Sequence, residues 1–182
     1  MAEKRLAGTT VLMVIAPDQF RDEELFTPEK ILTENGATVR IASTKLGEAK
    51  GMLGGTAKPE LTIADAKAHE YDAVVVVGGM GSPDYLWDDA KLHALIRELH
   101  KENKVIAAIC LSGAVLANAG VLNGKRATVW PMPESLAALK EGKAQYVEQP
   151  VVHDGKTITA NGPEAAHEFA ELIVSELSKV KV

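Results

Sequence analysis

The chemistry available to this chain centres on one thiol. Cys110 is its single cysteine, so it can form no internal disulfide and cannot contribute to a multi-cysteine metal site. It ends the apolar run Val105 to Ile109 and precedes the small-residue stretch Ser112 to Ala119, a strand-to-helix junction. That placement is analogous to the nucleophile elbow of hydrolases, where the positive end of the following helix favours thiolate and can lower a cysteine pKa below its free value of about 8.5. The plainer alternative is that a cysteine among Ala107, Ala108, Ile109 and Leu111 is a small core hydrophobe.

Two further groups could serve that thiol. Gly78-Gly79-Met80-Gly81 follows a buried strand, and consecutive glycines there let backbone N–H groups turn toward an anion, although a plain tight turn needs the same residues. The run matches neither G-x-G-x-x-G nor the Walker A pattern, so dinucleotide and nucleotide sites fail on spacing. Asp22, Glu23 and Glu24 open a helix, where acids are expected on dipole grounds alone; one of them becomes chemically interesting only if the fold turns it toward Cys110. The histidines His69, His93, His100, His153 and His167 show no metal-ligand spacing, and only His153 and His167 fall near loops flanking the last strand.

The elements that must position these groups follow an alternating pattern. Short apolar runs, Val11 to Ala16, Thr38 to Ser43, Asp72 to Val77 and Val105 to Ile109, alternate with amphipathic stretches. This is the signature of a mostly parallel sheet with helices on both faces. Leu25, Ile31 and Leu32 share one helical face, and Leu92, Leu95, Ile96 and Leu99 another. The glycine-rich segment from Lys45 to Pro59 predicts a loop or small hairpin. Asp154-Gly155 closes a hairpin before the strand Thr157 to Ala160, and a last helix runs from about Pro163 to Ser178.

Composition narrows the function. The 182 residues, 46% hydrophobic and 25% charged, read as one domain spanning 1–182 and large enough for a core without staples. Twenty basic against 25 acidic residues give a net charge of −5, which removes the electrostatic footprint of a nucleic-acid binder. No apolar run is long enough to span a membrane, and no signal peptide precedes Pro17-Asp18, so a cytoplasmic protein is expected.

Taken together the residues resemble the DJ-1/PfpI superfamily, also called ThiJ/PfpI, in its DJ-1-like branch. The motifs occur in order from about Thr10 to Ser178: Phe20 to Leu25 with Pro28 four residues past Glu24, then Val77 to Met80, then Ala107 to Cys110. Ala119 to Gly124 with Ala127-Thr128 follows, and finally Thr159 to Pro163 leading to Glu168-Phe169-Ala170. The resemblance implies a flavodoxin-like three-layer sandwich, related to class I glutamine amidotransferases, that pairs as a homodimer.

It also implies roles. Cys110 is the nucleophile, Glu24 a protonated carboxyl that hydrogen-bonds the thiolate, and Gly79 and Leu111 backbone N–H donors beside the sulfur, with Gly78 adjoining and Trp130 in the pocket. No metal or other cofactor is expected, and the partners are a small electrophilic substrate or oxidant. Two departures matter: the position after the cysteine, histidine in PfpI-type peptidases, is Leu111, and the histidine before a proline in DJ-1-like glyoxalases is Trp130 before Pro131. The expected functions are therefore glyoxalase III- or deglycase-like handling of reactive carbonyls in a stress response. A non-catalytic redox sensor or chaperone-like dimer with oxidisable Cys110 is the alternative, and a cysteine peptidase or amidase, lacking its imidazole, comes third.

Overall fold

The computed structural model describes residues 4–179. Its centre is a seven-stranded sheet built from β1 (Thr10–Val14), β3 (Thr38–Ser43), β6 (Leu61–Thr62), β7 (Ala73–Val76), β8 (Val105–Ile109), β11 (Val151–Asp154) and β12 (Thr157–Ala160). The spatial order is β11-β12-β8-β7-β1-β3-β6, with every pairing parallel except the β11–β12 hairpin. The central strands are buried on both faces, which is why they read as continuous apolar runs rather than alternating ones.

Strand alternation divides the core into two layers. Val11, Met13, Val75, Ala107 and Ile109 point to one face, which packs α1 (Asp22–Glu34) through Leu25 and Leu32 and α6 (Ala166–Lys179) through Phe169 and Ile173. Leu12, Val14, Val74, Val76 and Ile106 point to the other, covered by α3 (Ala90–Lys101), α4 (Gly113–Asn118) and α5 (Pro133–Glu141). The result is the three-layer flavodoxin-like sandwich expected from the sequence. No helix among the described residues is long and apolar enough to cross a membrane.

Strand succession runs outward from β1 to β3 and β6, then returns to β7, β8 and β12 on the other side of β1. The crevice outside the carboxyl ends of β1 and β7 is thus a topological switch point, where open α/β sheets bind ligands. Gly78 lies two residues past the end of β7 and Cys110 directly follows β8, both at that edge.

A small second sheet borders the crevice. β2 (Asp18–Phe20) pairs with β4 (Ala49–Gly51), which forms a hairpin with β5 (Thr56–Ala57) inside the glycine-rich segment. The turn of that hairpin is held by Asp22, whose carboxylate accepts the Leu53 N–H at 2.8 Å and the Gly55 N–H at 2.8 Å. Gly51 and Gly55 are required there because a Cβ on either would meet the Asp22 carboxylate at 2.5 Å. Asp22→Ala is expected to destabilise the protein by about 1–3 kcal/mol, the cost of losing two part-buried hydrogen bonds to a carboxylate. Amide exchange at Leu53 and Gly55 should accelerate with it; unchanged exchange at both would contradict this anchoring role.

Candidate active site

Cys110 sits at the switch point in a backbone conformation that non-glycine residues rarely adopt, with φ 61°. The strand ends at Ile109, and a single 3₁₀ turn, Cys110–Ser112, leads into α4. Neighbouring loops pin this elbow. The Trp130 N–H donates to the Cys110 carbonyl at 3.1 Å, and the Trp87 indole donates to the Leu111 carbonyl at 2.9 Å. Beneath it, the Ser112 hydroxyl donates to the Val77 carbonyl at 2.6 Å and meets Ser82 Oγ at 2.7 Å, tying the end of β7 to the elbow. The left-handed geometry is thereby over-determined, as a strained functional position requires.

The three acids at the start of α1 separate completely. Asp22 holds the hairpin, Glu23 pairs with Arg21 at 3.0 Å, and Glu24 alone turns inward, with no solvent exposure. Pro28, inside α1, has no N–H to offer the Glu24 carbonyl, so the helix lacks one bond at that residue. Glu24 Oε1 accepts the Gly78 N–H at 2.9 Å, while Oε2 is buried without a close hydrogen-bond partner among the described residues. The carboxyl and the Cys110 thiol nevertheless interact, each altering the other's proton affinity.

The glycines that follow β7 make this closeness possible. A Cβ on Gly78 would lie 2.6 Å from both Cys110 Cβ and Glu24 Oε1. Gly79 has φ 110°, and a Cβ there would strike the backbone of Gln19, Phe20 and Arg21. Its N–H and that of Leu111 point at the sulfur.

Burial dominates the electrostatics of the pair. It pushes Glu24 up to about 8, against the hydrogen bonds from Gly78 and Cys110 and the charge of Arg21. It also pushes Cys110 up to about 12, reinforced by the charge of an ionised Glu24 and opposed by the N–H groups of Gly79 and Leu111. The sequence pattern predicts a thiol lowered by a helix N-terminus; here one 3₁₀ turn and a six-residue helix do not outweigh desolvation. The smaller contribution from the Glu24 charge belongs, however, only to the state in which Glu24 is already ionised. The two groups titrate as a unit, and with the proton on Glu24 the carboxyl becomes a donor toward the sulfur instead of a repelling charge.

Cys110, only 7% exposed, opens into a cavity of about 460 Å³. Gly79, Leu111 and Trp130 line it, whereas Gly78 does not; Arg21, Met52, Met80, Asn161, Pro163 and Glu164, to which the sequence assigned no role, line it too. The Trp130 ring is 46% exposed and packs over Gly162, where a Cβ would come within 2.9 Å of it, so the indole walls the cavity without sealing it. The histidines stay away. His153 lies 3.1 Å from Glu176 and binds the Gly155 carbonyl on another surface, and exposed His167 lies 3.9 Å from Glu171. A missing signal for Arg21 and Asn161 is understandable, since each reaches the cavity only through a loop that the sheet topology folds over it.

A three-layer α/β sandwich with a cysteine at a strand-to-helix elbow and a buried carboxylic acid against it defines the class. The sequence profile of the DJ-1/PfpI family matches residues 9–176, and the chain belongs to that family. It is 48% identical over 179 residues to an uncharacterized protein of Methanocaldococcus jannaschii, covering 97% of this chain and 87% of that one. A Pyrococcus abyssi protein named a deglycase is 31% identical over 152 residues, 84% of this chain and 90% of that protein. Among solved structures, a ThiJ/PfpI domain protein from Brachyspira murdochii superimposes with a TM-score of 0.89 at 31% identity, over 98% of this chain and 99% of that one.

The buried acid has a consequence for stability. The folded protein keeps the Glu24 proton up to about 8, whereas the ordinary value is 4.5, so the folded state binds more protons across that window. The contribution of this group to stability is fully present below about 4.5 and is lost as pH rises through about 8. Glu24→Gln should remove this component: the melting temperature of the wild type, relative to the variant, falls between those two pH values. A difference that does not change with pH would contradict a protonated Glu24.

Proposed function

We propose that this protein uses Cys110 to capture small reactive carbonyl compounds, in the manner of a glyoxalase III or deglycase. The observation that carries the reading is the buried Glu24 carboxyl beside a cysteine that opens into a cavity, with the N–H groups of Gly79 and Leu111 at the sulfur. The name deglycase borne by the Pyrococcus abyssi relative supports it.

In this reaction the sulfur forms a bond to the aldehyde carbon, the carbonyl π pair moves to oxygen, and that oxygen takes the proton released by the Cys110–Glu24 pair. The growing charge on oxygen lies beside the Gly79 and Leu111 donors. From a 2-oxo aldehyde, ionised Glu24 then removes the proton of the adduct carbon and returns it to the neighbouring carbon while the adduct hydroxyl proton passes to the neighbouring oxygen, giving a thioester of a 2-hydroxy acid. Water cleaves the thioester and restores the thiol, so methylglyoxal and water become lactate with no change in overall oxidation state. Deglycation begins from the same kind of adduct, with an amine as the group that leaves. The working unit in this reading is a cytoplasmic homodimer acting on small electrophiles, as the resemblance implies.

One observation favours a second reading. Among the described residues no histidine lines the cavity, and the proton shuttle at the thiol falls to Glu24, which is buried against it. Where that does not suffice for turnover, Cys110 acts as a redox sensor: two equivalents of peroxide each deliver one oxygen to sulfur and leave as water, producing the sulfinic acid. Leu111 in place of histidine makes peptide hydrolysis the least supported activity.

Methylglyoxal consumption and lactate formation test the first reading. Cys110→Ala should fall to the background rate, and Glu24→Gln should lose on the order of 100-fold or more, as removal of a general acid–base group does. Equal rates in the wild type and Cys110→Ala would exclude it. The sensor reading predicts a mass gain of about 32 Da on Cys110 after mild peroxide; an unmodified mass would exclude that one.

A further inference from the structure

The cavity over Cys110 contains one fixed positive charge. Arg21 lies between β2 and α1 and lines the cavity with Cys110, and its guanidinium interacts electrostatically with both Cys110 and Glu24. Its side chain is 27% exposed. Glu23 holds Nε at 3.1 Å and Nη2 at 3.0 Å, which fixes the plane of the group; among the described residues none hydrogen-bonds Nη1. The backbone fixes its root as well, since the Arg21 N–H donates to the Gly78 carbonyl at 2.9 Å.

Glu23 offsets part of this charge along the Nε–Nη2 edge and leaves Nη1 without a partner among the described residues, and the other acids nearby add little to that. Glu24 is protonated at neutral pH, and Asp22 is committed to the hairpin N–H groups. Glu164 also lines the cavity but is exposed at its mouth, where solvent and salt screen it. Met52, Met80, Leu111, Trp130 and Pro163 make most of the remaining wall apolar, and with Asn161 a neutral amide, Arg21 is the charged partner it offers a planar anion.

We infer that Arg21 is a specificity-determining residue that holds a carboxylate close to the electrophilic carbon, so that Cys110 captures small carbonyl compounds carrying that anion in preference to neutral ones of the same size. The inference deepens the carbonyl-capture reading and rests on Cys110 being the nucleophile that faces the cavity.

It can be tested without turnover. Iodoacetate and iodoacetamide share a two-carbon frame and differ in a carboxylate against an amide. With either, sulfur forms a bond to the methylene carbon, iodide leaves with its bonding pair, and the thiol proton passes to water. The ratio of their rates at Cys110, measured by intact mass and referenced to a small uncharged thiol, is independent of how much thiolate is present. Wild type should favour iodoacetate by about tenfold over the reference, the size of one charge-assisted contact at a partly solvated site. Arg21→Gln should abolish the preference, Arg21→Lys should keep part of it, and salt should weaken it in the wild type. An equal ratio in the wild type and Arg21→Gln would overturn the inference, as would a salt-independent wild-type ratio or no labelling by either reagent. A protein that labels with this preference but consumes no methylglyoxal would retain the anion site and lose the catalytic reading.

Discussion

A carboxylic acid with no access to solvent, resting against the one cysteine, is the interaction around which this structure is arranged. Burial of an ionised carboxylate is costly, so Glu24 keeps its proton into the neutral range, and that proton is available to whatever charge appears on Cys110. Each nearby peculiarity of the backbone serves this contact. Gly78 omits a side chain so that sulfur and carboxyl can approach, and its N–H occupies one carboxyl oxygen, leaving the other for the thiol. Cys110 takes a left-handed conformation so that its side chain leaves the strand at the sheet edge, and Ser112, Trp87 and the Trp130 backbone hold it there.

The proton inventory of the site separates what it can do easily from what it cannot. Acyl-transfer enzymes with a cysteine nucleophile rely on an imidazole to activate the thiol and protonate the leaving group. Here the cavity offers a neutral acid, two backbone donors and a guanidinium, but no histidine among its lining residues. Such a set stabilises an anion on sulfur or on an oxygen next to it. Addition to a carbonyl, or oxidation of sulfur to an acid, requires little more; the imidazole of a cysteine peptidase has no counterpart among the lining residues.

Much of the framework was legible in the sequence because its central strands are buried on both faces and written almost wholly in Val, Ile, Leu and Ala. Thr38–Ser43 and Val105–Ile109 fall where the apolar runs place them, and the Lys45 to Pro59 segment contains the small hairpin its glycines suggest. The short strand Asp18–Phe20 was not legible, since it is polar and exists only by pairing with that hairpin. Nor could the residues themselves distinguish Asp22, Glu23 and Glu24, three acids in one helical turn whose fates depend on the neighbouring loops; the family resemblance was needed to single out Glu24. Arg21, Asn161 and Glu164 escaped notice for the same reason. The largest difference concerns the thiol. A helix terminus can be recognised in a sequence, whereas the desolvation that outweighs it depends on every side chain packed around Cys110.

The arrangement stands or falls on where the Glu24 proton resides. The ¹³C shift of the Glu24 side-chain carboxyl, followed from acidic to alkaline pH in the intact protein, reports that directly. A buried, protonated Glu24 titrates with a midpoint of about 8, and because desolvation is the principal cause, it stays well above the ordinary range in Cys110→Ala as well. A midpoint near 4.5 would place a full negative charge beside the sulfur at neutral pH and contradict the proton-sharing pair.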